Sequence, residues 1–143
     1  MTRKVVVVPP DLSLAAAWDV MRREDIRHLP VVRAGALVGM LSDRDILTVG
    51  TRNKDGHFLV PKNVVVAEAM TPVPLLTCEV STDVRELVRS MTMQKVDAVP
   101  VVRGLHLCGL VTSTDLLLLL LKGTELQALP PLDYELVEER LQA

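Results

Sequence analysis

The sequence predicts an α/β protein, of the α+β kind, built from two β-α-β-β-α repeats. Three observations lead to this prediction. The chain aligns with itself at a fixed offset, strand-like and helix-like segments follow one another in the same order in each half, and 49% of the 143 residues are apolar. Segments that repeat at a fixed period in the sequence are expected to have the same structure, so the repeat determines the predicted fold. Aromatic residues make up only 2%, so the predicted core is aliphatic.

The repeat is clearest where Leu29–Leu47 (LPVVRAGALVGMLSDRDIL) is placed over Val99–Leu117 (VPVVRGLHLCGLVTSTDLL). The two segments align without a gap at an offset of 70 residues. This register indicates a tandem duplication. We therefore divide the chain into a first repeat with its linker (residues 1–62), a second repeat (residues 63–123) and a C-terminal extension (residues 124–143).

Each repeat contains the same predicted elements. A short β-rich run comes first, at Lys4–Val8 and again at Pro74–Cys78. An amphipathic helix follows, because apolar residues recur at spacings of three and four. Those residues are Leu14, Ala17, Trp18 and Met21 in the first repeat and Val84, Leu87, Val88 and Met91 in the second. Two apolar runs around a glycine-containing turn then predict a β-hairpin.

A second helix is expected to begin near Asp45 and near Asp115. The stretch Thr48–Asn63 between the repeats is rich in Gly, Asn, Asp and Pro, so it is predicted to be a loop. In the C-terminal extension, Asp133 is placed to cap a short helix. That helix would carry Tyr134, Val137 and Leu141 on one side.

Composition argues against several classes of function. The net charge is −2 with both signs interspersed, and aromatic residues are scarce, so neither a nucleic acid nor an anionic membrane is an expected partner. The N-terminal apolar run and the leucine run Leu116–Leu121 are both too short to span a bilayer. Cys78 and Cys108 are isolated, without a CxxC or a zinc-type Cys/His cluster, so we expect free thiols, a cytoplasmic location and no metal site.

A polar stretch closes the hairpin of each repeat and leads into the second helix. It reads Ser42-Asp43-Arg44-Asp45 in the first repeat and Thr112-Ser113-Thr114-Asp115 in the second. Backbone N–H groups at a helix start and a hydroxyl suit a phosphate, and a carboxylate one turn away can accept two ribose hydroxyls. The same S/T-x-x-D pattern is also an ordinary helix cap. Spacing alone leaves both interpretations open.

The segments Ile26–Leu47 and Val96–Leu117, each preceded by Met-Thr and a helix, resemble the cystathionine-β-synthase (CBS) domain. The resemblance extends over about residues 1–123 and rests on the Pro-Val-Val strand, the glycine before the last strand and S/T-x-x-D. It implies a CBS pair that folds as one pseudo-twofold module. It also implies regulatory binding of AMP, ADP, ATP, NAD or S-adenosylmethionine in clefts between the repeats. The sequence shows no nucleophile–base pair or metal cluster, so an enzyme is the least favoured alternative and no bound cofactor is expected.

The resemblance also assigns roles to residues. Asp45 and Asp115 would hold ribose hydroxyls, with Ser42 and Thr112 near the phosphate or ribose. Arg44 would lie beside the phosphate where the second repeat has Thr114, so the first site is expected to prefer the more phosphorylated ligand. The base would be flanked by the apolar candidates Met40, Leu110, Leu29, Pro30, Val99 and Pro100, and backbone atoms near Val7 and Thr77 would contact its edge. His28 lies on the cleft side by resemblance and is a candidate for ligand contact, with a structural or exposed histidine as the alternative.

Two further expectations concern assembly. The helix that contains Leu116–Leu121 is apolar on all sides, which indicates a subunit interface in addition to a core face. The resemblance implies a homodimer through such helices. The alternative to nucleotide sensing is a structural or dimerisation protein whose clefts are empty or degenerate.

Overall fold

The computed structural model describes residues 2–122 and 133–138, and of residues 2–4 and 133–138 it describes the backbone alone. The helices are α1 (Leu14–Glu24), α2 (Asp43–Val49), α3 (Val66–Ala69), α4 (Val84–Gln94) and α5 (Ser113–Leu121). The strands are β1 (Thr2–Val7), β2 (His28–Arg33), β3 (Ala36–Ser42), β4 (Thr51–Arg52), β5 (Phe58–Leu59), β6 (Thr71–Pro72), β7 (Ala98–Arg103), β8 (His106–Thr112) and β9 (Asp133–Glu138). Helices and antiparallel hairpins occur in both repeats, which confirms the mixed fold class.

The chain divides into two compact units. Val6–Leu75 makes up nearly all of the first unit, and Leu76–Leu136 makes up most of the second unit. The order helix, strand, strand, helix occurs in both: α1-β2-β3-α2 in the first unit and α4-β7-β8-α5 in the second. Each hairpin has the same register irregularity near its turn, between Val31 and Val32 and between Val101 and Val102. The duplication seen in the sequence is therefore a duplication of local structure.

In the first unit, α1 packs on the β2–β3 hairpin through an aliphatic core. Leu14, Leu29 and Leu41 have no exposed surface. Ser13 caps α1, since its hydroxyl accepts a hydrogen bond from the Ala16 N–H at 3.1 Å. Each fully buried leucine is worth about 1.5–3 kcal/mol, so this core fixes the hairpin against the helix.

Strand β6 passes close to β3 in the first unit and explains the glycine of the motif. Gly39 is paired with Pro72. A Cβ at Gly39 would lie 2.5 Å from the Met70 Sδ and 2.8 Å from the Thr71 carbonyl oxygen. A side chain at this position would therefore displace the chain that runs beside it.

The second unit has a smaller aliphatic core. Val99, Val101 and Val111 of its hairpin are almost completely buried, as is Leu87 of α4. Asp83 caps α4, because its carboxylate accepts hydrogen bonds from the backbone N–H groups of the first turn. Val88 was expected to face inward but is 42% exposed.

The structure corrects the prediction of a loop over Thr48–Asn63. Helix α2 extends to Val49, and β4 and β5 then form a small antiparallel hairpin. Phe58 of this hairpin lies against Trp18, with ring centroids 5.3 Å apart. The contact between these two rings stabilises a hairpin that the turn-rich sequence does not predict.

The predicted strand Pro74–Cys78 is also wrong. Its residues contain a single bridge, from Cys78 to Val101, and the only short strand nearby in the described chain is Thr71–Pro72. Pro74 carries no backbone N–H, so its position cannot donate a hydrogen bond to a neighbouring strand.

The helix predicted in the C-terminal extension is wrong where the extension is described. Asp133–Glu138 forms β9, which pairs with β1. Tyr134 and Leu136 alternate with acidic residues, which is a strand pattern, and six residues form only a marginal helix without tertiary support. Residues 124–132 and 139–143 lie outside the described residues. Within those that are described, no helix has the length and apolar character needed to cross a bilayer.

The two cysteines differ in environment, which leads to a labelling prediction. Burial raises the pKa of the Cys78 thiol from its ordinary value of 9.0 to about 11, whereas Cys108 is partly exposed. The neutral thiol therefore favours the folded state below pH 9, and this contribution is lost as the pH rises toward 11. We expect iodoacetamide at pH 8 to modify Cys108 well before Cys78, as read by mass spectrometry of peptides. Equal rates in the native protein would contradict the burial, and equal rates in guanidinium chloride are the control.

Candidate functional site

The hairpin of each unit runs directly into a helix, and the junction places polar groups at one end of the unit. We call Ser42–Asp45 the first corner and Thr112–Asp115 the second corner. In both, the last strand residue has extended backbone and serves as the N-cap of the following helix. An N-cap hydroxyl satisfies a backbone donor that has no partner within the helix.

In the first corner the hydroxyl and the carboxylate form a reciprocal capping box. The Ser42 Oγ accepts a hydrogen bond from the Asp45 N–H at 3.2 Å, and the Asp45 Oδ2 accepts one from the Ser42 N–H at 2.8 Å. In the described part of the chain, the other carboxylate oxygen of Asp45, Oδ1, makes no hydrogen bond. Asp45 is half-buried, and no fully buried side-chain oxygen or nitrogen of the described residues lacks a partner, so this oxygen is not sealed from solvent.

The second corner repeats this geometry. The Thr112 Oγ1 accepts from the Asp115 N–H at 3.3 Å, and the Asp115 Oδ2 accepts from the Thr112 N–H at 2.8 Å. The capping interpretation of S/T-x-x-D is thus confirmed for both repeats. It does not exclude ligand binding, because an ionised carboxylate offers about four acceptor positions.

The hairpin register brings the first-repeat candidates together. His28 is paired with Ser42, and Pro30 is paired with Met40. The Val8 N–H donates to the Pro30 carbonyl oxygen at 3.1 Å, which places the end of β1 and Val7 beside them. Arg44 and Asp45 follow Ser42 in the first turn of α2, so all first-repeat candidates lie around one end of the first unit.

The second-repeat candidates are assembled in the same way. Thr112 lies opposite the first residue of β7, and Pro100 is paired with Leu110. The Cys78 N–H donates to the Pro100 carbonyl oxygen at 3.0 Å, which brings Thr77 alongside. Val99 lies between these pairs, and Thr114 and Asp115 occupy the first turn of α5.

Exposure separates the candidates into two groups. The predicted base-flanking residues Leu29, Pro30, Val99 and Pro100 are less than 2% exposed. Leu29 and Val99 have no exposed surface and Pro30 and Pro100 almost none, so the structure offers a ligand almost no contact with them. Their role at the base remains a prediction. The polar candidates are more accessible: Ser42, Asp45, Thr112, Asp115 and His28 are half-buried, and Arg44, Thr114 and Thr77 are exposed.

The structure adds one pair of residues that the sequence argument missed. The Asp43 N–H donates to the Arg27 carbonyl oxygen at 2.9 Å, and the Ser113 N–H donates to the Asp97 carbonyl oxygen at 2.9 Å. Arg27 and Asp97 therefore lie against the first residue of the helix in their respective corners. Arg27 and Asp97 are equivalent positions at the repeat offset of 70 residues, and they carry opposite charges.

The family model for the CBS domain matches residues 1–51 and 66–122. The chain belongs to the CBS-domain family. A CBS-domain relative is the CBS domain-containing protein YhcV of Bacillus subtilis (strain 168), which is 32% identical over 117 residues, 81% of this chain and 79% of that protein.

Solved CBS-domain structures are similar in fold. CBSX2 in complex with AMP has a TM-score of 0.72 at 25% identity, and the match covers 85% of this chain and 91% of that one. The CBS-domain protein ATU1752 from Agrobacterium tumefaciens has a TM-score of 0.68 at 25% identity, with 82% of this chain and 90% of that one covered.

Some CBS-domain relatives are much longer. Inosine-5'-monophosphate dehydrogenase of Mycobacterium tuberculosis (strain ATCC 25618 / H37Rv) is 33% identical over 117 residues, which is 80% of this chain but 20% of the enzyme. The similarity concerns the CBS region of that enzyme and carries no information about its catalysis.

Proposed function

We propose that this chain is a regulatory module that binds adenosine-containing small molecules at its two polar corners and catalyses no reaction. The observation that carries the proposal is the capping box of the first corner. It holds the Asp45 carboxylate in place by one oxygen, Oδ2, and leaves Oδ1 without a hydrogen bond to any described residue. The similarity to CBSX2, whose structure contains AMP, supports adenosine as the shared ligand chemistry.

The chemistry of the corner suits a ribose. Its adjacent 2′ and 3′ hydroxyls are donors, and an ionised carboxylate is a strong acceptor. Asp45 is fixed by the Ser42 N–H and need not be ordered when the ligand binds, which lowers the entropic cost of binding. AMP, ADP, ATP, NAD and S-adenosylmethionine all present this diol, so the proposal covers adenosine compounds as a class.

Regulation requires that the ligand favours one state of the chain over another. A ligand shifts an equilibrium only through different affinities for the two states. The two corners are built at hairpin–helix junctions, where a bound ribose would stabilise the start of α2 or α5. We propose that this effect is transmitted to a partner in the cytoplasm, where a reducing environment keeps Cys78 and Cys108 as free thiols.

Calorimetric titration of the chain with AMP, ATP and S-adenosylmethionine tests the proposal. We expect saturable heat with one or more of them and a matching rise in Tm, because a ligand that binds only the folded form stabilises it. A tenfold excess of ligand over Kd should add about 1.4 kcal/mol. The absence of heat and of a Tm shift with all three compounds would contradict adenosine sensing.

The exposed leucines of α5 support an accompanying proposal that the chain forms a homodimer. None of the residues of α5 is buried, and Leu117, Leu118, Leu120 and Leu121 are 51–82% exposed. In the first unit, Phe58 covers Trp18, whereas the corresponding Val88 in the second unit is 42% exposed. We propose that a second copy of the chain covers the exposed leucines of α5 and Val88.

Analytical ultracentrifugation tests the dimer. Glutamate at both Leu118 and Leu121 should convert a dimer into a monomer, because each change places a charge in an apolar contact. Glutamate at Leu59, which is 48% exposed in the β4–β5 hairpin, is the matched control and should leave the dimer intact. A wild-type chain that sediments as a monomer at high concentration would contradict the proposal.

These leucines also favour a second candidate function, a structural dimerisation protein with empty corners. The two candidates give opposite results in the calorimetric titration. A dimer that shows no heat with any adenosine compound would support the structural candidate.

A further inference from the structure

The two corners share one backbone geometry, so their differences lie in side chains. In each corner the first helical residue donates its N–H to the carbonyl oxygen of the residue just before the hairpin strand, Arg27 or Asp97, at 2.9 Å. The side chains at these two positions therefore originate next to the hydroxyl and carboxylate of the capping box. Positions 27 and 97 are equivalent in the aligned repeats and make the same backbone hydrogen bond, so their side chains can be compared directly.

Two guanidinium groups belong to residues at the first corner, Arg44 within the corner and Arg27 beside it. Arg27 and Arg44 are both exposed, and in the described part of the chain neither guanidinium makes a hydrogen bond or an ion pair. Together with Asp43 and Asp45, they give this set of four residues two positive and two negative charges. An unpaired guanidinium can bind phosphate oxygens in a bidentate manner.

The second corner contains no cation among the corresponding residues. Asp97 replaces Arg27, Ser113 replaces Asp43, and Thr114 replaces Arg44. The Ser113 hydroxyl lies 3.4 Å from the Asp97 Oδ1, so the Asp97 carboxylate is directed toward the start of α5. Asp97 and Asp115 are the charged residues among the four compared here, and both are negative.

These charges act on the group attached to the ribose. A phosphate carries between one and two negative charges near pH 7, and like charges that share a site destabilise each other. Asp97 thus opposes a phosphate at the second corner, whereas Arg27 and Arg44 attract one at the first. A hydroxyl or a cationic substituent on the ribose experiences no such repulsion.

We infer that the second corner selects an unphosphorylated adenosine compound, neutral or cationic, and that Asp97 is the residue that excludes phosphate. This inference rests on the proposed function, since it concerns the ligand of the same corners. The first corner, in contrast, takes a phosphorylated adenosine compound through Arg27 and Arg44. The chain is thereby able to respond to two adenosine compounds of different charge.

The test measures Kd for AMP and for adenosine by calorimetry when one corner is disabled. Asp115→Asn isolates the first corner, where AMP should bind about tenfold or more tightly than adenosine. Asp45→Asn isolates the second corner, where adenosine should bind at least as tightly as AMP. Adding Asp97→Arg and Thr114→Arg to Asp45→Asn should then shift the preference toward AMP by about tenfold or more, since phosphate gains two pairing groups.

The controls distinguish a failure of this inference from a failure of the proposed function. Glu86→Gln in α4 removes one carboxylate from the same unit and should leave the preference for adenosine over AMP unchanged. Binding of both compounds with the same preference at both corners would overturn the inference and leave the proposed function intact. Absence of binding of both compounds to the wild-type chain would overturn the proposed function itself. An unchanged preference after Asp97→Arg with Thr114→Arg, in a variant that keeps the wild-type Tm, would overturn the role of Asp97.

Discussion

Replacing both Asp45 and Asp115 with asparagine is expected to weaken binding of adenosine compounds by about ten- to hundredfold at each corner while the fold is retained. The asparagine Oδ1 can still accept the hydrogen bond from the Ser42 or Thr112 N–H, so the reciprocal capping contact survives. The negative charge and the second strong acceptor are lost. A hydrogen bond to a charged group contributes about 1.5–3 kcal/mol, so each corner should lose about ten- to hundredfold in affinity.

Calorimetry with AMP and with adenosine measures this loss, and the Tm reports the fold. Asp55→Asn is the matched control, because Asp55 lies in the exposed turn between β4 and β5 and the change removes the same charge far along the chain from either corner. Wild-type affinity in the double variant would show that the carboxylates serve only as helix caps.

Replacing Leu29 with alanine should produce the largest loss of stability among single changes in the first unit. Leu29 has no exposed surface and lies in β2 within the cluster that includes Leu14, Leu41 and Ile46. Truncation of a buried leucine removes its transfer free energy and leaves a cavity, so the expected cost is about 2–5 kcal/mol. Urea denaturation measures the free energy of unfolding of the variant and of the wild type.

Leu105→Ala is the control for this prediction. Leu105 is 78% exposed in the turn of the second hairpin, so its truncation should change the free energy of unfolding by about 0.5 kcal/mol or less. A loss below about 1 kcal/mol for Leu29→Ala would mean that the hairpin is not anchored by this core.

The elements with a strong periodic pattern could be predicted from the sequence. The spacing of Leu14, Ala17 and Met21 indicated the buried face of α1, and these residues are buried. The hairpins could be predicted because a buried strand pair separated by a tight turn has a clear apolar pattern. The capping boxes followed from S/T-x-x-D, since this motif depends only on contacts three residues apart.

The failures occur where contacts distant in sequence decide the structure. The strand Asp133–Glu138 depends on pairing with β1, and the β4–β5 hairpin on Phe58 reaching Trp18. In the first of these segments, a short strand-like alternation competes with the helical spacing of Tyr134, Val137 and Leu141. In the second, the turn-rich sequence around Phe58 shows no periodic pattern. Val88 matches the buried spacing of α4, yet it remains exposed in a unit where nothing described covers it as Phe58 covers Trp18.

Only part of the site could be predicted, because some of its residues also come together through contacts distant in sequence. Residues within one turn of Ser42 and Thr112 were found because the motif is local. Arg27 and Asp97 were missed because they reach the corner through a hydrogen bond across 16 residues, from the N–H groups of Asp43 and Ser113. The aligned repeats held the necessary signal, a reversal of charge between equivalent positions.

The central claim is that a carboxylate already held in a capping box also binds the ribose of an adenosine compound. A crystal structure of the chain grown with AMP tests it most directly. The account predicts ribose hydroxyls within hydrogen-bond distance of the Asp45 carboxylate, with the contact between that carboxylate and the Ser42 N–H retained. AMP bound elsewhere on the chain, with Asp45 and Asp115 contacting only their own helix caps, would contradict it.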